Sequence, residues 1–215
     1  MLPKDMRIVV LDTETTGLKD TDQVIQFSAI VLNSEFKVVA MDSFYCNVKI
    51  PISQGAIDVH GINNKELESL SKGKYIEDYL PFLSYMNKSS NVIFVGYNVE
   101  FDIRKINHSL TNEGYAPINF GRKLQAIPRT GLSGNGYLDI MKPLCSNLGY
   151  TGNRKLSQVF AEHGPCSVER VNYILNKLAD NFKVSRKENM GYHDSLYDTM
   201  ITTSLLIKYK HFFLV

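Results

Sequence analysis

The sequence predicts an α/β fold on a sheet of mixed strand directions, and three observations predict it. Arg7, Ile8, Val9, Val10, Leu11 and Asp12 form an apolar, β-branched run, the pattern of a buried strand. Residues 24–32 and 37–48 alternate apolar and polar positions, and Asn33 and Ser34 between them suit a tight turn, so the chain opens on a three-stranded antiparallel meander. A wholly apolar strand at 92–95 then leads through Gly96 into a helix reaching about Leu110. A strand that feeds a helix after a meander adds parallel pairing to an antiparallel start.

The remaining elements follow in order. Asn63 is placed to cap a short helix over 63–70. Tyr79, Leu80, Leu83 and Met86 fall at helical spacing and predict a helix over 76–86. Gly121, Gly131, Gly134, Gly136 and Pro128 predict a mobile surface loop over 122–136. Residues 138–148 and 155–163 read as helical, 168–178 as an amphipathic helix and 183–189 as a polar loop. A long terminal helix with an apolar stripe is expected over 194–209.

At 215 residues and 44% hydrophobic content, one domain with a real core is expected. Cys46, Cys145 and Cys166 are far apart and lack CxxC spacing, which fits a reducing cytoplasm rather than a disulfide framework or structural zinc. The start lacks the charged and apolar regions of a signal peptide, and no apolar run approaches the roughly 20 residues of a membrane span. A cytoplasmic chain with no membrane partner is expected. Residues 1–102 carry 9 Lys+Arg against 14 Asp+Glu, and residues 103–215 carry 15 against 8. The basic half suits a nucleic-acid partner, although ordinary surface variation produces the same imbalance.

Asp12 and Glu14 lie two apart at the end of a strand, so both side chains aim at one point. Two such carboxylates repel unless a cation lies between them; a polar strand end before Thr15-Thr16-Gly17 is the plainer reading. A strand-terminal acid pair also occurs in haloacid-dehalogenase phosphatases, but the second acid here is Glu and no downstream lysine and paired-aspartate motif follows. Asn98 and Asp102, spaced i, i+4, share a helix face: Asn98 as a cap, Asp102 reaching toward the first strand. His193 and Asp198 are five apart, about 140° on an ideal helix. They converge only if His193 sits in the preceding loop, with Asp194 or Ser195 as cap.

Taken together, these residues resemble the DEDDh branch of the DnaQ-like 3′→5′ exonucleases. Leu11-Asp12-Thr13-Glu14-Thr15-Thr16-Gly17-Leu18 matches the first family motif, and Gly96-Tyr97-Asn98-Val99-Glu100-Phe101-Asp102 the second. His193 with Asp198 matches the histidine form of the third, and Val59-His60-Gly61-Ile62 resembles the segment before a Thr- or Asn-led helix. The match runs from about Arg7 to Tyr209. The chain departs from the pattern in the long connection between His163 and His193.

The resemblance implies a ribonuclease H-like mixed β-sheet with the N-terminal antiparallel meander and helices on both faces. It implies a single exonuclease domain over 1–215 with a helical insertion at about 164–190. Asp12, Glu14, Asp102 and Asp198 would hold two Mg²⁺ or Mn²⁺ ions, and His193 would take the proton of the attacking water. Thr15, Gly17, Leu18, His60 and Phe101 would contact the terminal nucleotide, and Asn98 and Tyr97 the next. The implied substrate is a single-stranded 3′ end, DNA favoured over RNA, with exoribonucleases resembling RNase T or oligoribonuclease as the alternative. A polymerase or other complex is a possible partner. Arg122, Lys123, Arg129, Arg154 and Lys155 suit phosphate contacts on either polymer. From another class, a binding module without turnover would keep the fold alone.

Overall fold

The computed structural model describes residue 2 and residues 4–86, 91–120, 137–184, 186–187 and 190–213. Strand β1 (Arg7–Thr15) is central because it is apolar on both faces: Ile8 and Val10 enter one core, Val9 and Leu11 the other. It pairs antiparallel with β2 (Val24–Asn33), which pairs antiparallel with β3 (Val38–Tyr45). On its other side β1 pairs in parallel with β4 (Val92–Gly96), followed by β5 (Tyr137–Asp139), giving the order β3-β2-β1-β4-β5.

The helices, in chain order, are α1 (Gln54–His60), α2 (Asn64–Ser71), α3 (Leu80–Met86), α4 (Val99–Asn112), α5 (Met141–Asn147), α6 (Leu156–His163), α7 (Val168–Phe182) and α8 (Ser195–Lys208). One core joins β1, β2, β4 and β5 to α5 through α8; Val171, Leu175 and Ala179 of α7 lie within it. The other face buries Leu83 and Met86 of α3 with Val99, Ile106 and Leu110 of α4. A small cluster of Ile25, Tyr45, Ile52, Ile62 and Leu67 seats α1 and α2. The sheet with helices on both faces matches the expected architecture.

Three expectations are corrected. The 138–148 segment is a strand and then a helix, because Leu138 pairs with Val95 and Asp139 Oδ1 accepts from Met141 N at 2.9 Å, starting α5. The 76–86 helix divides into a 3₁₀ turn, Ile76–Tyr79, and α3. Pro81 has no N–H to bond back across that junction. Helix α1 was not anticipated, although its signals are present: Ser53 accepts from Ala56 N, and Gly61 takes φ 71° at the C-cap.

Asn63 caps α2 as expected, accepting from Glu66 N at 3.0 Å. The expected loop at 122–136, with Arg122, Lys123 and Arg129, lies outside the described residues, as do Ser185, Glu188 and Asn189 of the 183–189 segment. At the C-terminus Phe213 is 1% exposed in the larger core and Phe212 stacks on Tyr209, so these two close a packed helix; Leu214 and Val215 lie outside the described residues. Cys46, Cys145 and Cys166 are free thiols. Among the described residues no helix is long and apolar enough to cross a membrane.

Candidate active site

Side chains alternate along a strand, so Asp12 and Glu14 share the face covered by α8. Their cross-strand partners are Ser28 and Gln26, the two buried polar residues of β2. Those partners dock the start of α8. Ser28 Oγ lies 2.7 Å from Ser195 Oγ and 2.8 Å from Ser43 Oγ. Gln26 donates to Asp194 Oδ1 (3.3 Å) and accepts from Ser195 N (3.2 Å). Asp194 caps α8, accepting from Leu196 N at 3.0 Å. Asp198 in the first turn is thereby brought to the strand, and one carboxylate oxygen each of Asp12, Glu14 and Asp198 lies within 4.8 Å of the others.

His193 precedes the cap at φ 66°, with its backbone N–H donating to Asp198 Oδ2 at 3.0 Å and its side chain exposed. The five-residue spacing is thus resolved as expected, with the histidine in the loop and the aspartate in the helix. Partial desolvation, with the charge of Lys155, lowers the His193 pKa from the ordinary value. Asp102 of α4 stands beside the triad rather than in it: its Oδ1 accepts from both Thr13 N (2.9 Å) and Thr13 Oγ1 (2.7 Å).

Burial raises all four carboxyl pKa values. Asp12 is pushed well above the ordinary range by desolvation and then by Asp102, Asp198 and Glu14. Glu14 follows for the same reasons, with Lys187 pulling weakly the other way. Asp102 is pushed up to about 7 against its bonds from Thr13, and Asp198 to about 7 against the His193 N–H. Asp198 Oδ1 is buried and has no hydrogen-bond partner among the described residues. A convergent set of hard oxygen donors, mutually repelling and with an orphaned lone pair, fits Mg²⁺ or Mn²⁺.

Glu14 also lines a cavity of about 320 Å³ with Thr15, Gly17, Leu18, Val59, His60 and Phe101. Leu18 is 81% exposed at its mouth. His60 Nδ1 accepts from Ile62 N (3.1 Å), so Nε2 carries the proton and donates to the Thr15 carbonyl (3.2 Å); burial lowers its pKa and keeps it neutral. Asp22 draws in the turn by accepting from Thr16 Oγ1 and Lys19 N. A Cβ at Gly17 would lie 2.7 Å from Asp22 Oδ2, so a larger residue there would push the Asp22 carboxylate off the turn it holds. Lys105, 1% exposed, donates its ammonium to the Lys19 carbonyl and lies 5.3 Å from the Phe101 ring centre.

Asn98 does not cap α4 with its side chain as expected. It is exposed in the left-handed region at φ 72°, its side chain makes no cap bond, and its N–H is held by Asp139 Oδ1 at 3.0 Å. Asparagine tolerates this conformation, which sets the chain's entry into α4. It is not among the residues lining the cavity, and Tyr97 turns its hydroxyl to the Arg154 carbonyl. Sequence reasoning missed the supports Thr13, Gln26, Ser28 and Lys105. The polar interruptions of strand 24–32 were the available signal for two of them.

A carboxylate cluster at the end of the central strand, beside a cavity of about 320 Å³ on a ribonuclease H-like sheet, is the class of site that phosphoryl hydrolases use to hold divalent cations. A family model described as "RNase_T: Exonuclease" matches residues 9–206. The chain belongs to this family, the DEDD 3′→5′ exonucleases. It is 33% identical over 110 residues to DNA polymerase III subunit epsilon of Buchnera aphidicola, covering 48% of this chain and 44% of that protein. It is 28% identical over 209 residues to the PolC-type DNA polymerase III of Staphylococcus epidermidis, covering 95% of this chain and 11% of that one. The chain therefore spans less than half the length of either relative. Among solved structures, E. coli Exonuclease I in complex with a dT13 oligonucleotide shares the fold at TM-score 0.62 and 20% identity, over 96% of this chain and 42% of that one.

Proposed function

We propose that this chain hydrolyses single-stranded DNA from the 3′ end and releases nucleoside 5′-monophosphates. The observation that carries this reading is the position of Glu14, which belongs both to the carboxylate cluster and to the wall of the cavity. A nucleotide seated in that cavity has its scissile phosphate at the acids. Asp12, Glu14 and Asp198, with Asp102 beside them, would hold two Mg²⁺ or Mn²⁺ ions, which when bound supply charge neutralisation at the phosphoryl oxygens. Leu18 and Phe101 sandwich the terminal base, and neutral His60 holds the Thr15 backbone that faces the sugar. The His193 imidazole takes a proton from the attacking water as the 3′ oxygen of the preceding nucleotide leaves.

The relatives named as DNA polymerase III proteins, and the neighbour's bound dT13, support DNA over RNA and association with a polymerase or other complex. Three free thiols support a cytoplasmic setting. The test is a gel time course with 5′-labelled DNA and RNA of one sequence, with Mn²⁺ or EDTA. A metal-dependent ladder shortening from the 3′ end, faster on DNA, is expected. Faster RNA shortening would make the chain an exoribonuclease, and no ladder on either polymer would make it a binding module.

His193 carries a second expectation. A base works unprotonated, and a lowered pKa keeps it so down to pH values below 6.5. Cleavage should therefore hold its rate as pH falls toward 6.5 and decline only below it. His193→Ala should lose about 10²–10⁴-fold in kcat and lose that acid limb. An unchanged pH profile of kcat/KM in the variant would remove His193 from the role.

A further inference from the structure

Between α2 and the end of α7, along the β3 edge, lies a groove of about 320 Å³ that the cleavage chemistry does not use. Its walls carry Lys72, Lys74, Lys183 and Arg186 against a single carboxylate, Asp42. Lys72 and Lys183 are the left-handed C-caps of α2 and α7, at φ 54° and 56°, so two helix ends converge with their lysines on one opening. Lys72, Lys74 and Lys183 are exposed and form no ion pair among the described residues. Asp42, the one carboxylate of the wall, takes a hydrogen bond from Ser43 N at 2.8 Å. Arg186 is partly engaged by Asp180 at 2.8 Å.

Helix α2 runs from the cavity to the groove. Helix α2 starts shortly after His60, which lines the cavity, and ends at Lys72; its eight residues span roughly 12 Å. Lys187 bridges the interval, paired with Glu66 of α2 at 3.3 Å and close enough to act on Glu14 and Asp194. Tyr45 lines the groove and binds Gln26, the residue that docks α8.

We infer that this basic groove holds the phosphodiester backbone of the substrate strand on the 5′ side of the nucleotide being removed. The inference rests on the exonuclease reading above. It gives the segment between α6 and α8 a function: α7 carries Lys183 to the opening, and Arg186 and Lys187 follow it. Lys72, Lys74 and Lys183, three exposed cations on one opening without an ion-pair partner among the described residues, suit a polyanion, because each phosphate neutralised releases counterions.

The test compares wild type with Lys72→Gln/Lys74→Gln/Lys183→Gln, whose thermal midpoint should be unchanged. Binding of a fluorescent single-stranded 20-mer and a 3-mer is measured in EDTA across a salt series. Hydrolysis of the p-nitrophenyl ester of thymidine 5′-monophosphate is measured with Mn²⁺. The variant should bind the 20-mer at least about tenfold more weakly, with a salt slope shallower by roughly 2, at about 0.7 per phosphate contact on single strands. Binding of the 3-mer and hydrolysis of the ester should match wild type. An unchanged 20-mer affinity and slope, with the wild type active on the ester, would overturn the groove and leave the exonuclease reading standing. A wild type inactive on the ester and on DNA would overturn both.

Discussion

Asp12→Asn should cut 3′-end cleavage by at least about 10³-fold, the equivalent of roughly 4 kcal/mol at the transition state. Binding of single strands should survive, since the cavity and the exposed lysines are untouched. The same change should raise the stability of the metal-free protein at pH 8. It removes a buried negative charge that Asp102, Asp198 and Glu14 all oppose, and it keeps the side-chain shape. Loss of activity with gain of stability is the signature of a residue placed for chemistry rather than packing. A variant that still cuts, or one that loses activity only because its thermal midpoint has dropped, would remove Asp12 from the metal set.

The metal-free protein should be more stable at pH 5 than at pH 8, and Mg²⁺ or Mn²⁺ should reverse the loss. In the unfolded chain these carboxyls titrate near pH 4. In the folded chain Asp102 and Asp198 lie at about 7, and Asp12 and Glu14 well above their ordinary values. Between those limits the native state binds more protons than the unfolded state, so stability falls as pH rises through the window. Over the coupled cluster the loss is on the order of several kcal/mol, and each kcal/mol moves the midpoint of a chain this size by about 2–4 °C. A divalent cation at about 100 times its dissociation constant returns about 2.7 kcal/mol, or roughly 5–10 °C. Differential scanning calorimetry at the two pH values, with and without Mn²⁺, measures both effects. A pH-independent midpoint that ignores Mn²⁺ would contradict the electrostatics drawn for the site.

Much of this site is legible in the amino-acid sequence. The two-residue spacing of Asp12 and Glu14 fixes a common face on any strand, and that face is where the carboxylates converge. The five-residue interval between His193 and Asp198 has one workable solution, a loop histidine before a capped helix, and α8 begins accordingly at Ser195 behind Asp194. Thr15, Gly17, Leu18, His60 and Phe101, expected around one nucleotide, line one cavity.

Other features are closed to sequence reasoning because they depend on partners far away in the chain. Residues 138–148 carry the same apolar character as strand or helix, and only the open edge of β4 decides that Leu138 pairs there. Helix α8 is expected to show an apolar stripe, yet Ser195 to Thr203 are buried all round, because the sheet lies under the helix while α6 and α7 pack against it. Asn98 offers a capping side chain, but the turn from β4 into α4 needs a left-handed residue, and its N–H goes to Asp139 instead.

Strand periodicity and capping chemistry are local, and they suffice for the fold class, the shared face of Asp12 and Glu14 and the place of His193 before a capped helix, while the residues around the cavity follow from the family resemblance. Long-range packing settles the rest: Ser28 and Gln26 dock the start of α8 on β2 beside β1, Thr13 holds Asp102 beside the triad, and the lysines ending α2 and α7 face one groove. Those relations join residues up to 169 positions apart, and a contact at that separation is set by how the layers pack, which no local pattern encodes.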